Sequence, residues 1–429
     1  MLLKKIKFLL KNFVKFLKNY EANHLIVEDR LSVLERKIDS LALINCVDRV
    51  DNKKEKNIVF VLHNLNSWYS LLDLYNELNG RDNIVLYIFV AEKNKSSYVC
   101  SKYLDEEGIS YINVGNFSME QCYSLLYSIN PSCIFRQSPW DNDLDEKFSA
   151  VNISNFKIVY VPYFSLNLVE FYNKNINMQV NQNLHLLAWK IYCESQVSYL
   201  EFSKFYYGDI SKVKYFGNNK LNYINNYFKD KDKDKDKKLK SSEKLNILWA
   251  PHHSVDNKWL GFGTFDINFF DFLNFAQKFK DKVEIVLRPH PLLFENMSLV
   301  DKERLDVFLD SWGKLPNTTI DMDWDYLKLF EWSDLLVTDG ISFLAEYPLT
   351  RKNLIFIENK HHLPFNINGK ICVDCAHIAK SFEEISQFIF DVIDLKLLPK
   401  NDQINKLIDH LSLVDNVAQL IVDDILNSL

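Results

Sequence analysis

The stretch SDLLVTDGISFLAEY (residues 333–347) carries the clearest sign of the fold. Its apolar run, Leu335–Val337, is followed by a turn of small and polar residues and then by a helical pattern. This order is typical of a parallel sheet, because its strands are buried on both faces and are connected through helices. The same order recurs around this stretch, with further strands predicted at Leu245–Trp249, Val283–Leu287, Thr318–Ile320 and Leu354–Ile357.

A second set of short β-rich runs lies in the first half of the chain. These predicted strands are Ile58–Leu62, Ile84–Val90, Tyr111–Val114, Cys133–Phe135 and Ile158–Val161. Because helical patterns alternate with them, we expect a second parallel sheet. Residues 402–429 also have a helical pattern, which leaves open whether these helices cap the later sheet or cross back to the earlier one.

Length and composition fit a protein of two domains. The chain has 429 residues, of which 47% are hydrophobic and 25% are charged, and this is enough for two sizeable cores. No apolar residue occurs between Lys229 and Lys238, which is typical of a solvated linker or loop. We therefore expect a helical extension at 1–50, a Rossmann-like domain at 51–228, a linker at 229–244 and a second Rossmann-like domain with C-terminal helices at 245–429.

Charge and cysteine content argue against several classes of protein. A net charge of −6 gives no overall attraction for nucleic acid, so no nucleic-acid partner is expected. The seven cysteines are scattered, as in a reducing compartment such as the cytoplasm. Cys372 and Cys375 form a CxxC, but no second pair is near and residues 370–375 are predicted as a strand. We therefore expect neither a metal nor a redox role for this pair.

The first residues form a basic amphipathic pattern. Apolar residues at helical spacing are accompanied by six lysines, with no acidic residue before Glu21. Such a helix can dock on an anionic membrane surface or pack on a protein, and the sequence leaves both open. No long apolar run is present, so we expect a cytoplasmic protein, neither exported nor membrane-spanning, that contacts the inner face of the membrane through residues 1–20.

Ligands bind at the carboxyl ends of parallel strands, so the residues that directly follow each strand are the candidates for a site. His252, His253 and Ser254 follow the first strand of the second half, and Arg288 and His290 follow the next one. Histidine can donate to phosphate or accept a proton, and the arginine fork matches phosphate oxygens. These loops therefore predict an anion site.

The third loop adds small residues and hydroxyls. Gly340 permits close backbone approach, and Thr338 and Ser342 supply hydroxyl donors toward a pyrophosphate at the start of a helix. Asp339 lies in the same turn, and Glu346, one helical turn later, can accept a bond from a ribose or glycerol hydroxyl.

Each of these candidates also has a structural alternative. A Thr-Asp-Gly segment is usually just a turn, Arg288 can pair with a surface carboxylate, and His252 or His253 can satisfy backbone groups.

Taken in order, these loops resemble the CDP-glycerol glycerophosphotransferases of teichoic-acid and capsule assembly. That family has an Ala-Pro loop, an Arg/Lys-x-His-Pro loop and a Ser-Asp-x-x-x-Thr-Asp-x-x-Ser segment. Here they read APHHS (250–254), RPHP (288–291) and SDLLVTDGIS (333–342). A fourth loop, FGNNK (216–220), is similar to the family's Gly-Asn-Pro-Arg, with Asn219 in place of the proline.

The resemblance implies an α/β fold of the GT-B-like type, with two Rossmann-like domains facing a cleft. It further implies a CDP-alditol donor in the C-terminal domain and a polysaccharide, teichoic-acid-like or lipid-linked acceptor, whose hydroxyl attacks the β-phosphorus and releases CMP. Arg288 and His290 would neutralise that phosphate, while the other residues of the three loops bind the donor. No metal ion or cofactor is implied.

The first half departs from the family pattern. A Trp-His-Gly-Thr loop typically supplies the general base there, but this chain reads YVPYFS at residues 160–165. His63, which follows the first strand, is a candidate base, although the pattern favours a structural histidine at the end of that strand. Asp321, Asp323 and Asp325 alternate like a metal-binding DxD, but we expect them to act as helix caps.

Two other functions remain open at this point. One is a GT-B glycosyltransferase that uses a nucleotide sugar in capsule or lipopolysaccharide synthesis, since similar clefts bind any nucleoside diphosphate. The other is a non-catalytic scaffold of a capsule-assembly complex, which the missing first-domain histidine favours slightly.

Overall fold

The structure is a computed structural model that describes residues 55–91, 99–173, 176–232, 244–256, 260–413 and 416–429. The helical extension expected at residues 1–50 lies outside these ranges, as does most of the expected linker. Within them, no helix is both long and apolar enough to cross a membrane.

The first half forms a seven-stranded parallel sheet with the order β3-β2-β1-β4-β5-β8-β9. Its strands are β1 (Lys56–Leu62), β2 (Ile84–Val90), β3 (Ile112–Asn113), β4 (Cys133–Arg136), β5 (Ile158–Tyr160), β8 (Lys190–Tyr192) and β9 (Val213–Lys214). Two further strands, β6 (Tyr172–Asn173) and β7 (Ile176–Asn177), form a separate antiparallel pair. The helices of this half are α1 (Leu72–Asn79), α2 (Val99–Glu106), α3 (Met119–Ile129), α4 (Asn183–Leu187), α5 (Gln196–Phe205) and α6 (Asn219–Asp232).

The second half forms a six-stranded parallel sheet with the order β12-β11-β10-β13-β14-β15. Its strands are β10 (Leu245–Ala250), β11 (Val283–Leu287), β12 (Thr318–Ile320), β13 (Leu335–Thr338), β14 (Asn353–Ile357) and β15 (His377–Ala379). The helices are α7 (Phe265–Lys278), α8 (Leu293–Lys314), α9 (Tyr326–Trp332), α10 (Ser342–Glu346), α11 (Ile367–Asp374), α12 (Phe382–Ile393), α13 (Asn401–Leu411) and α14 (Val417–Leu426).

Strand β13 shows why the sequence specifies this architecture. Leu335 and Val337 pack into one apolar cluster and Leu336 into the cluster on the opposite face of the sheet. All three side chains are fully buried, and each contributes roughly 1.5–3 kcal/mol of hydrophobic stabilisation. Continuous apolar strands of this kind confirm the predicted pair of α/β sheets.

The last helix crosses back to the first sheet, which decides between the two alternatives left open by the sequence. Val417, Ile421 and Ile425 of α14 share a buried cluster with Phe60 of β1. By contrast, Leu407 of α13 packs in a cluster whose residues come mostly from the second half. The chain therefore ends by tying the two halves together.

Two local predictions were wrong. Residues 370–375, expected as a strand, lie in or directly after helix α11, which begins because the Asn366 side chain caps it by accepting the Gly369 N–H at 3.0 Å. The helix spacing also buries both Cys372 and Cys375. Helix α6 continues to Asp232 and so covers the start of the expected linker.

Candidate functional site

The candidate site lies where the strand order of each sheet reverses. In the second sheet this point is between β10 and β13, and in the first sheet it is between β1 and β4. Where the connections that follow two adjacent strands run in opposite directions, a crevice opens at the carboxyl ends of these strands. Ligands of such folds bind in this crevice. The loops at His252 and Asp339 meet at the first of these points, and His63 lies at the second.

Asp339 is the structural centre of the second-domain loops. It is almost fully buried, and its carboxylate accepts the backbone N–H of His252 at 2.5 Å, the N–H of Thr264 at 2.5 Å and the Thr264 hydroxyl at 2.8 Å. Burial raises the pKa of Asp339 to about 6, and these hydrogen bonds oppose the rise. Since both oxygens are used within the protein, Asp339 positions the loops; the expected direct role in donor binding does not fit this geometry.

The rest of the third loop is also used mainly by the protein itself. The Thr338 hydroxyl donates to the Ala250 carbonyl at 2.6 Å and accepts the Gly340 N–H at 2.9 Å. Neither group is therefore free to bind a pyrophosphate, contrary to expectation. Ser342 is exposed at the start of α10, but this helix has only five residues, which limits the anion site expected there.

Three histidines from two loops form a stack at this point. The ring centroids of His252 and His253 are 4.4 Å apart, and those of His253 and His290 are 4.3 Å apart. The loops after β10 and β11 thus bring these sequence-predicted residues together, and we call them the histidine stack. Asn296 of α8 supports it by donating to the His253 carbonyl at 2.9 Å.

Hydrogen bonds fix the tautomers of two rings in the stack. Nδ1 of His252 accepts the Ser254 N–H at 3.1 Å, and Nδ1 of His290 accepts the Leu292 N–H at 3.2 Å. A nitrogen that accepts an N–H carries no proton, so the neutral rings are protonated at Nε2. Each ring therefore offers one N–H donor to a ligand.

Packing favours the neutral form of the rings in the histidine stack. Burial lowers the pKa of all three rings, and the neighbouring imidazoles lower those of His252 and His290 further. His290 is exposed as a residue although its ring packs on His253, so solvent and ligands can reach it. A bound phosphate would favour the charged form of these rings, because opposite charges raise a histidine pKa.

Arg288 belongs to the same loop as His290, and its side chain is oriented from two sides. Its guanidinium forms an ion pair with Asp321 and lies 5.9 Å from the centre of the Tyr326 ring. Asp323 accepts the Trp324 N–H at 2.7 Å.

Nowhere in the described ranges do three or more histidine, cysteine or acidic side chains form a group able to hold a metal ion.

Glu346 connects the two halves. Contrary to expectation, it does not face a free donor site. Its Oε1 accepts a hydrogen bond from the Ser165 hydroxyl and pairs with Lys220 Nζ at 2.9 Å. The glutamate is 1% exposed, and its Oε2 has no hydrogen-bond partner in the described part of the chain. A second connection joins the Tyr69 hydroxyl to Asp325 at 2.8 Å.

His63 lies in the first half of the chain, directly after β1. It is buried, its Nδ1 has no hydrogen-bond partner within the described ranges, and its ring lies 6.5 Å from that of Tyr163. Burial and the charge of Arg136 lower the pKa of His63 to about 4. Within the part of the chain that the structure describes, no hydrogen bond or ring contact joins His63 to the histidine stack.

The loop GFGT (residues 261–264) also belongs to the site and was missed from the sequence. A Cβ at Gly263 would lie 1.7 Å from the Ser254 carbonyl oxygen, so only glycine fits, and Gly261 has a φ of +71°. Asn359, which follows β14, fixes the GFGT loop by donating to the Gly263 carbonyl at 2.9 Å. A Gly-x-Gly-Thr segment directly before helix α7 was the available signal.

No protein-family model and no curated protein sequence matches the chain. Several solved structures do match the chain. The UDP-GlcNAc 2-epimerase from Neisseria meningitidis, bound to UDP-GlcNAc, has a TM-score of 0.54 at 13% identity and covers 86% of this chain and 100% of its own. The S. aureus MnaA structure with UDP has a TM-score of 0.57 at 13% identity, covering 87% and 98%.

The wall teichoic acid polymerase TagF is also similar to this chain. Its TM-score is 0.56 at 19% identity, and the match covers 92% of this chain and 94% of the TagF chain. At such identities the likeness establishes the fold alone. Together with the two parallel sheets, it shows that this chain has the GT-B-like fold that the sequence predicted.

Proposed function

We propose that this protein transfers a polyol phosphate, such as glycerol phosphate, from a CDP-activated donor to a hydroxyl of a cell-surface polysaccharide or teichoic-acid-like acceptor, releasing CMP. The observation that carries the proposal is the histidine stack beside Arg288 at the switch point of the second sheet. It offers N–H donors and a fixed positive charge where nucleotide ligands of such folds bind.

In this mechanism the second domain stabilises charge. The acceptor oxygen bonds to the β-phosphorus, the bond from that phosphorus to the bridging oxygen breaks, and CMP leaves with the electron pair. His290 donates from Nε2 to a phosphate oxygen and Arg288 neutralises the charge that develops, so catalysis comes mainly from positioning and electrostatics.

The acceptor proton needs a base from the first domain. His63 is our candidate, because it is neutral at physiological pH and its Nδ1 has no partner among the described residues. His252 and His253 would hold the donor pyrophosphate, with Ser342 at the edge of the site. Ser254 would support the loop, because its buried hydroxyl contacts His252 Nδ1 at 2.8 Å and accepts the Gly263 N–H at 2.7 Å. Thr338, Asp339 and Gly340 would act indirectly, because they shape the loop.

Two observations support a CDP donor over other choices. The three loops follow in the order of the CDP-glycerol glycerophosphotransferases, and crystals of the similarly folded TagF have been soaked with CDPG. The main alternative is a glycosyltransferase that uses a nucleotide sugar, because other proteins with this fold bind UDP and UDP-GlcNAc. We further propose that residues 1–20, with their six lysines, hold the enzyme at the cytoplasmic face of a membrane that carries the acceptor.

The direct test is nucleotide release during turnover. The full chain is incubated with membranes as the acceptor source and with CDP-glycerol, CDP-ribitol or UDP-GlcNAc, and the nucleotides are separated by chromatography. We expect CMP from a CDP-alditol, in a reaction lost in His290→Ala and kept in His377→Ala, a histidine on the edge strand β15. Release of UDP alone would replace the proposal with the glycosyltransferase, and release of no nucleotide would support the scaffold.

A further inference from the structure

Two adjoining cavities lie at the carboxyl ends of β5 and β8 in the first domain. Both are open to solvent, and their empty volumes of ≈ 400 Å³ and ≈ 270 Å³ include part of that open space. Phe164, Cys193 and Glu194 line both, so the two cavities share a wall. We call them together the Glu194 pocket. None of the residues assigned to the donor site or proposed as the base lines it.

Glu194 lines both cavities, and its hydrogen bonds to other residues are made by one carboxylate oxygen. Its Oε1 accepts the Ser198 hydroxyl, the Ser195 hydroxyl at 3.3 Å and the Asn167 N–H at 3.3 Å. No other residue donates to its Oε2 in the part of the chain that the structure describes. A carboxylate oxygen with free lone pairs at a cavity wall is suited to accept ligand hydroxyls.

Asn219 supplies a second and independent sign of a ligand. It lines the smaller cavity and is 6% exposed, and its amide nitrogen donates to the Ser70 carbonyl at 2.9 Å. Its Oδ1 has no hydrogen-bond partner among the residues that the structure describes. A buried acceptor without a partner costs about 1–3 kcal/mol, a cost that a ligand hydroxyl at this point would remove.

The remaining walls favour a neutral ligand with both apolar and hydroxyl faces. Trp140 and Phe164 provide aromatic surface in the larger cavity, onto which the C–H groups of a sugar or alditol can pack. Lys220 lines the smaller cavity, but its ammonium is paired with Glu346. Glu201 adds a second carboxyl to the larger cavity, so a phosphate is disfavoured.

The pocket also lies against the second domain. The Ser195 hydroxyl accepts a bond from Asn368 at 3.2 Å, and the Asn167 carbonyl accepts one from Asn366 at 2.9 Å. These contacts place the pocket on the first-domain side of the boundary between the halves, as an acceptor subsite requires.

We propose that the Glu194 pocket binds the polyhydroxylated end group of the acceptor, a sugar or alditol, and that Glu194 and Asn219 accept hydrogen bonds from its hydroxyls. This assignment deepens the proposed transferase function and rests on it for the role of the ligand as acceptor.

The test is saturation-transfer NMR of the full chain with glycerol, ribitol and N-acetylglucosamine as probes. We expect transfer to the C–H protons of at least one probe, reduced at least tenfold in Glu194→Gln. Trp140→Ala, which leaves the carboxylate bonds intact, should weaken the same signal. Glu146→Gln, an exposed glutamate of the same domain, should leave it unchanged.

Calorimetry with CDP on the same samples separates the two proposals. Retained CDP binding together with absent probe signals, or signals equal in Glu194→Gln and wild type, would overturn the acceptor subsite alone. Probe binding that depends on Glu194 without any CDP binding would uphold the pocket as a polyol site and overturn the transferase.

Discussion

The carboxylate of Asp339 accepts the backbone N–H of His252 at 2.5 Å, although the two residues are 87 positions apart in the sequence. The same carboxylate holds Thr264 through its N–H and its hydroxyl. One buried acidic side chain thus fixes the loop after β10 and the start of α7 relative to β13. The geometry of the histidine stack depends on this arrangement.

The first prediction concerns that carboxylate. Asp339→Asn replaces one acceptor oxygen by an NH₂ group facing a backbone N–H, so we expect a loss of about 2 kcal/mol in the free energy of unfolding. Urea denaturation measures this loss. Asp306→Asn, an exposed site on α8, should stay within about 0.5 kcal/mol of wild type. Equal stability of the two variants would show that Asp339 does not fix these loops.

The second prediction separates catalysis from folding at His290. Since this residue is exposed, His290→Ala should leave the thermal midpoint nearly unchanged and lower kcat by about 100-fold or more, the usual effect of losing one charge-stabilising donor. Differential scanning fluorimetry and CMP release measure the two effects. A fully active variant would remove His290 from the site.

The third prediction concerns the connection between the halves. Lys220→Met leaves the Glu346 carboxylate buried without its cation, so we expect a loss of about 3–5 kcal/mol in stability. The double variant Lys220→Met/Glu346→Gln should recover much of that loss, because no charge is then left unpaired. Additive effects in this double-mutant cycle would contradict the pairing.

The fourth prediction concerns pH. Burial raises the pKa of Glu201 from 4.5 to about 7, with a further rise from Glu194 and Glu170 and an opposing effect of Asn177 and Asn167. The stability that comes with the protonated form is therefore complete below about pH 4.5 and is lost as the pH rises through about 7.

Glu201→Gln lacks this titration. Its free energy of unfolding should therefore rise relative to that of wild type as the pH goes from 5 to 8, by on the order of 3 kcal/mol. Urea denaturation at the two pH values measures the gain. A difference between the two proteins that does not change with pH would mean that Glu201 titrates normally.

The hydrophobic pattern predicted both sheets because buried strands such as β1 and β13 contain uninterrupted apolar runs, residues 58–62 and 335–337. The strands β8 and β9 escaped notice because they have only three and two residues and contain lysines. The segment around Cys372 was misread because β-branched neighbours suggested a strand, whereas the Asn366 cap starts a helix.

At the site, strand exits predicted which loops meet but not what each side chain does there. His252, His253 and His290 were expected to act together and do contact one another. Asp339 and Glu346 were expected to face a ligand, yet their partners are Thr264 and Lys220, which come from distant segments. Sequence spacing contains no information about such long-range pairs.

Calorimetric titration of the full chain with CDP and UDP shows whether the site binds a cytidine nucleotide, and it needs no acceptor. We expect CDP to bind more tightly than UDP and His290→Ala to weaken CDP binding at least tenfold, or by about 1.4 kcal/mol, with His377→Ala as the control. Tighter binding of UDP, or no binding of either nucleotide, would contradict the proposed CDP-activated donor.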